Sequence, residues 1–138
     1  MTKKSLLVLC VCLAIGAGIA VYVWASGCCP EGHVLCDAFA SKVGDTDCDY
    51  TFGVNLARDC AGSATVKLWY HETPGGSWNW AMMAIIDDWP YPPCVRMRRT
   101  LTLDGDKTYG YYFESTGTNC NERLPAYPLE YSLDPNCN

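Results

Sequence analysis

Histidine is scarce in this chain: His33 and His71 are the two among 138 residues. Imidazole is the usual near-neutral acid–base group, so general acid–base chemistry has few candidates. No GxSxG elbow accompanies His71, which stands beside Glu72 and reads as a surface histidine. No CxxCH haem signature and no N-x-Ser/Thr sequon occurs. Internal repeats and low-complexity tracts are absent, which excludes solenoids and biased linkers. Basic charge is in short supply as well. Past residue 27, eight Lys/Arg face fifteen Asp/Glu, a net charge of about −7. Phosphate binding needs a basic surface, so nucleic acid is excluded as a partner class. Sustained 3.6-residue periodicity is missing from residue 28 onward, which argues against a helical domain.

What is present begins with an export signal. Lys3 and Lys4 precede an uncharged run, residues 5–24 (SLLVLCVCLAIGAGIAVYVW), and then Ala25-Ser26-Gly27. A basic start, an apolar run and small residues match a secretory signal cleaved before Cys28. The run is also long enough to span a bilayer as an uncleaved anchor helix. A third outcome is lipidation, because Ala25-Ser26-Gly27-Cys28 resembles a bacterial lipobox, with Ala25 where that motif has leucine. Residues 1–27 are therefore expected to be a signal peptide or membrane anchor, and residues 28–138 an exported domain. Its contact with a membrane would be limited to this segment or to a lipid on Cys28.

The exported part carries eight cysteines: Cys28, Cys29, Cys36, Cys48, Cys60, Cys94, Cys120 and Cys137. An even count in a small exported domain reads as a disulfide framework, and eight cysteines allow 105 connectivities. Lipidation of Cys28 would strand one thiol. Zinc held by Cys29, His33 and Cys36 is the competing reading, but exported thiols oxidise. Asp45, Asp47 and Asp49 have the opening spacing of a calcium loop. Tyr50 and Leu56, however, stand where the required glycine and closing glutamate belong. No metal and no cofactor are expected.

Period-two alternation organises the rest. In Asp49–Leu56, Tyr50, Phe52, Val54 and Leu56 share one face. Residues 64–71 alternate Val66, Leu68 and Tyr70 against Lys67, Trp69 and His71. After Thr73-Pro74-Gly75-Gly76, a turn sequence, residues 77–86 place Trp78, Trp80, Met82, Ala84 and Ile86 together. Residues 87–94 hold three prolines and are expected to leave the ladder. Residues 95–103 turn Met97, Leu101 and Leu103 inward, and residues 108–115 group Tyr109, Tyr111 and Phe113. Residues 126–133 alternate Tyr127, Leu129, Tyr131 and Leu133, with Pro128 pointing to an edge strand. A further strand between residues 33 and 43 has its pattern blurred by Asp37 and Ser41. The fold class is all-β: an antiparallel sandwich of about seven strands behind one N-terminal hydrophobic helix.

Leu103, five further residues, and then Tyr109 with Tyr111 and Phe113 resemble the E–F corner of fibronectin type III and other immunoglobulin-like domains. The stretch VKLWYHETPGGSW resembles their C–C′ hairpin, and order and spacing agree over most of residues 34–134. The eight cysteines depart from the usual fibronectin pattern. The resemblance implies an immunoglobulin-like fold and no function. It also implies a tyrosine hydroxyl tied to nearby backbone. It further implies that Cys60, Cys94 and Cys120 cluster at one pole, with at least one bridge among them. Cys48 and Cys137 would pair at the other pole, and Cys28, Cys29 or Cys36 would take the remainder.

Binding candidates are aromatic. Trp78, Trp80, Trp89 and Tyr91 could anchor a protein partner or stack on sugars. In-phase alternation with Met82 and Ile86 favours a core position for Trp78 and Trp80. Trp89 and Tyr91 sit on a proline-stiffened loop. Met83 and Ile85 make the second face of residues 77–86 apolar too, so that strand is either covered on both sides or an open contact surface. Arg96, Arg98 and Arg99 form a small anionic-ligand patch or a solubilising face. Asp87 and Asp88 with Glu114 could act as glycosidase-like carboxylates, against a solvated acidic turn. The expectation is a cell-surface or secreted, non-enzymatic module for extracellular protein contact or self-association, such as a filament or surface-layer subunit. The alternative is a small carbohydrate-binding module.

Overall fold

The structure, a computed structural model, describes residues 29–44, 48–86 and 95–137. Residues 1–27, where a signal peptide or anchor is expected, and Cys28, Asp45, Asp47, Asp87, Asp88, Trp89, Tyr91 and Cys94 lie outside the described residues.

The alternating segments form strands that pack as two antiparallel sheets. They are β1 (Leu35–Lys42), β2 (Asp49–Leu56), β3 (Ala64–Thr73), β4 (Asn79–Met82), β5 (Ala84–Ile86), β6 (Val95–Thr102), β7 (Thr108–Gly117), β8 (Glu122–Leu124) and β9 (Tyr131–Leu133). One sheet runs β1-β2-β6-β5, and the other β4-β3-β7-β8 with β9 also on β7. Both layers are antiparallel throughout. In chain order this is an A-B-E-D sheet facing a C′-C-F-G sheet, the immunoglobulin-like arrangement.

The inward phase is the expected one over most of the chain. Phe52, Val54, Leu56, Val66, Leu68 and Phe113 are essentially sealed from solvent. Phe52 meets Tyr111 edge-on across the layers, with centroids 5.0 Å apart, the geometry aromatic quadrupoles favour. The Tyr109 hydroxyl accepts the backbone N–H of Asp104 at 3.0 Å, which is the tyrosine tie implied for the E–F corner.

Three segments differ from expectation. The strand before Val43 is real, and its blurred pattern has a cause: the β1–β2 register shifts between Cys36 and Phe39. Asp37 sits there at φ 53°, with its carboxylate accepting from Asn55 Nδ2 at 3.1 Å. A bulge of this kind adds one residue and breaks the alternation. Residues 126–133 are not one strand. Only Tyr131–Leu133 pairs, while Tyr127 and Leu129 lie exposed on a turn and Glu122–Leu124 supplies a separate short strand.

The third departure decides which aromatic side chains are exposed. Residues 77–86 do not stay in one sheet. β4 pairs with β3, and β5 pairs with β6 in the opposite sheet. Met83 is the crossing point: it is buried, and its N–H bonds to Val66 O at 3.1 Å. Ala81 also faces the core, whereas Trp78, Trp80 and Met82 face out. The core position favoured for Trp78 and Trp80 is thereby corrected. Arg99 reaches over this crossing, its guanidinium donating to Met82 O at 3.1 Å.

Candidate functional site

Strand pairing sets the outer face of the second sheet. Lys67, Trp69 and His71 are the outward residues of β3, as their alternation requires. Across the ladder Trp69 pairs with Trp80 of β4 on one side and Tyr112 of β7 on the other. One row of the sheet therefore reads Trp80, Trp69, Tyr112. Centroids are 6.4 Å apart for Trp69–Trp80 and 6.2 Å for Trp69–Tyr112, and the latter two planes are within 14° of parallel. Side chains directly opposite on adjacent strands are close enough to touch, so this row forms one continuous aromatic strip.

Neighbouring residues hold the strip in place. The Trp69 indole N–H donates to Glu114 Oε1 at 3.0 Å, which fixes its rotamer. Lys67 Nζ lies 4.3 Å from the Trp80 ring centroid. Arg123 of β8 stacks its guanidinium 3.7 Å from the Tyr112 centroid and 5.2 Å from that of Tyr127. These are cation–π distances. Arg123 is itself held by a 2.7 Å hydrogen bond to Leu129 O. Burial pushes the Tyr112 phenol above its ordinary value, and Arg123 pulls it the other way.

Below the strip, His71 Nε2 meets Glu130 Oε1 at 2.8 Å, and Trp78 lies over the imidazole with centroids 3.9 Å apart. Trp78 also meets Tyr112 edge-on at 5.2 Å. This cluster crosses β7 at Gly110, where a side chain would collide with both Glu130 and His71. Glycine here is a matter of space: the strand must pass beneath the hydrogen-bonded His71 and Glu130 side chains.

The other candidates fall elsewhere. Met83 is in the core and cannot serve as a surface contact. Ile85 pairs with Met97 through its backbone. His33 lies by β8, with Nδ1 3.2 Å from Glu122 Oε2. Asp49 accepts from the Thr102 hydroxyl, and Glu114 serves Trp69. Among the described residues, no three His, Cys, Asp or Glu side chains gather as a metal site. Among the described residues three disulfides form: Cys29–Cys36, Cys48–Cys137 and Cys60–Cys120. The second joins the pole beside β2 to the segment after β9, and the third joins the B–C and F–G connections, as the resemblance implied.

Trp69, Tyr112, Arg123 and Tyr127 belong to this aromatic face and were not among the candidates read from the sequence. For Trp69 and Tyr112 the signal was an aromatic in the outward phase of β3 and of β7; Arg123 and Tyr127 carried none.

Fold and face together define a disulfide-bonded antiparallel β-sandwich carrying an exposed aromatic sheet surface. No family model and no curated protein matches the sequence. Among solved structures, the chain is similar in fold to the carbohydrate binding module of the muscle glycogen-targeting subunit of protein phosphatase 1. The TM-score is 0.54 at 6% identity, over 70% of this chain and 74% of that one. The similarity is one of architecture.

Proposed function

We propose that this chain is a non-catalytic carbohydrate-binding module, exported from the cell, that holds sugars on the outer face of the β4-β3-β7-β8 sheet. The carrying observation is the aromatic row Trp80–Trp69–Tyr112, with Trp78 and Tyr127 at its borders. Pyranose rings have C–H faces that pack on aromatic rings, while their hydroxyls need hydrogen-bonding partners. This face offers both: flat rings, and Lys67, Glu114, Arg123, His71 and Glu130 set between them. The rings are braced by neighbours, so little ordering entropy opposes binding. The fold neighbour, itself a carbohydrate binding module, supports the reading at the level of architecture. Three disulfides support an extracytoplasmic setting, and residues 1–27 would supply the export route.

Contact with an extracellular protein is the second reading. It draws on the same exposed rings, since Trp and Tyr also anchor protein interfaces. Self-assembly through residues 77–86 is weakened, because one apolar side of that segment is core.

A glycan array probed with the disulfide-bonded protein tests the proposal. Binding is expected, and Trp80→Ala, at a half-exposed position, should weaken it by roughly tenfold or more while leaving the fold intact, a loss of about 1.4 kcal/mol. Silence across all glycan classes would refute the reading.

A further inference from the structure

Resting on that reading, we infer that the ligand is a neutral, extended, ribbon-like polysaccharide laid across the strands, of the kind β-1,4-linked pyranoses form, in contrast to a coiled α-linked glucan. The first ground is direction. Trp80, Trp69 and Tyr112 belong to three adjacent strands at one level of the register, so the row runs perpendicular to the chain direction. Beyond Tyr112 the ladder is interrupted. β8 pairs with β7 at residues 113–115 and β9 at 109–111, leaving Tyr112 without a strand partner on that side. The turn between β8 and β9 lies on this side of β7. It carries Tyr127, 80% exposed, linked to Tyr112 through the interposed Arg123 guanidinium. The strip thus continues as ring, ring, ring, guanidinium, ring across the full width of the sheet.

The second ground is spacing. Adjacent strands lie about 4.8 Å apart, and the ring centroids step by 6.4 and 6.2 Å, comparable with the length of one pyranose unit. A straight chain can run along successive rings, the Trp69 and Trp80 planes tilted by 49° and the Trp69 and Tyr112 planes within 14° of parallel. A coiled chain curves away from an open face after about two units. The third ground is charge. Lys67 and Arg123 on the strip are balanced by Glu114 and Glu130, so the local surface is close to neutral. An acidic glycan would gain little here, and the −7 charge of the whole domain would repel it.

Isothermal titration with three oligosaccharide series, β-1,4-linked, α-1,4-linked and sulfated, separates the possibilities. Affinity for the β-1,4 series should climb on the order of tenfold from dimer to pentamer and then level off, with little dependence on salt. Tyr127→Ala, at an exposed turn where folding is not at stake, should remove the gain in affinity beyond the trimer. Equal or better binding of the α-1,4 or sulfated series, or no length dependence, overturns this inference while leaving a carbohydrate-binding module. Failure to bind any of the three series, with none captured on the array, overturns both.

Discussion

At the E–F corner a single hydroxyl closes the connection between β6 and β7. Tyr109 is buried between the sheets, but its oxygen reaches the N–H of Asp104 at the surface. Removing that oxygen leaves the ring packed and the N–H without its acceptor. Because Asp104 is exposed, water takes over part of the loss, so the cost stays at the ordinary net value of a hydrogen bond. Tyr109→Phe should lower stability by about 1 kcal/mol, read as a fall in thermal midpoint of roughly 4–8 °C for a domain of this size. No change in midpoint would show that the tie contributes nothing.

Among the elements, the disulfides differ in what they constrain. Restricting the unfolded chain stabilises more when the closed loop is longer. The bridges Cys48–Cys137, Cys60–Cys120 and Cys29–Cys36 span 89, 60 and 7 residues. Loop entropy gives roughly 4–5 kcal/mol for each of the first two and about 2 kcal/mol for the last. Paired serine substitutions followed by urea denaturation should reproduce this order. If removing Cys29–Cys36 proves the most costly, local packing at the start of β1 outweighs chain entropy. Both long bridges hold the ends of β2, β3, β7 and the segment after β9, and so keep the aromatic face on a fixed frame.

For the whole molecule, the interior between the sheets holds Tyr111, whose hydroxyl is withdrawn from water. Burial, aided by nearby Tyr131, pushes the Tyr111 phenol up to about 12. The phenolate is disfavoured in the fold relative to the unfolded chain, where tyrosine ionises near 10. This contribution to stability is complete below about pH 10 and is lost as pH rises toward 12. Alkaline unfolding followed by circular dichroism, alongside phenolate absorbance, should show Tyr111 ionising together with loss of structure. Replacing Tyr111 with Phe should shift that alkaline transition upward. An unchanged transition would mean that other groups drive it.

Local alternation of polarity determined much of this protein. Phe52, Leu68 and Phe113 are buried because every second side chain of a strand faces the same way, a relation carried by neighbours in sequence. The even number of sulfurs likewise called for pairing, and the Leu103–Tyr109 spacing placed a corner. Tertiary structure decided the rest. Alternation tells which residues share a face within one strand, but it cannot report that residues 77–86 cross from one sheet to the other at Met83. Both faces of that segment are apolar, so alternation alone could not say which one meets the core; the fold buries Ala81 and Met83 and leaves Trp78 and Trp80 outward. Pairing register, which depends on residues tens of positions apart, then set Trp80, Trp69 and Tyr112 in a single row. The site arises from contacts between strands, and no single strand's sequence contains it.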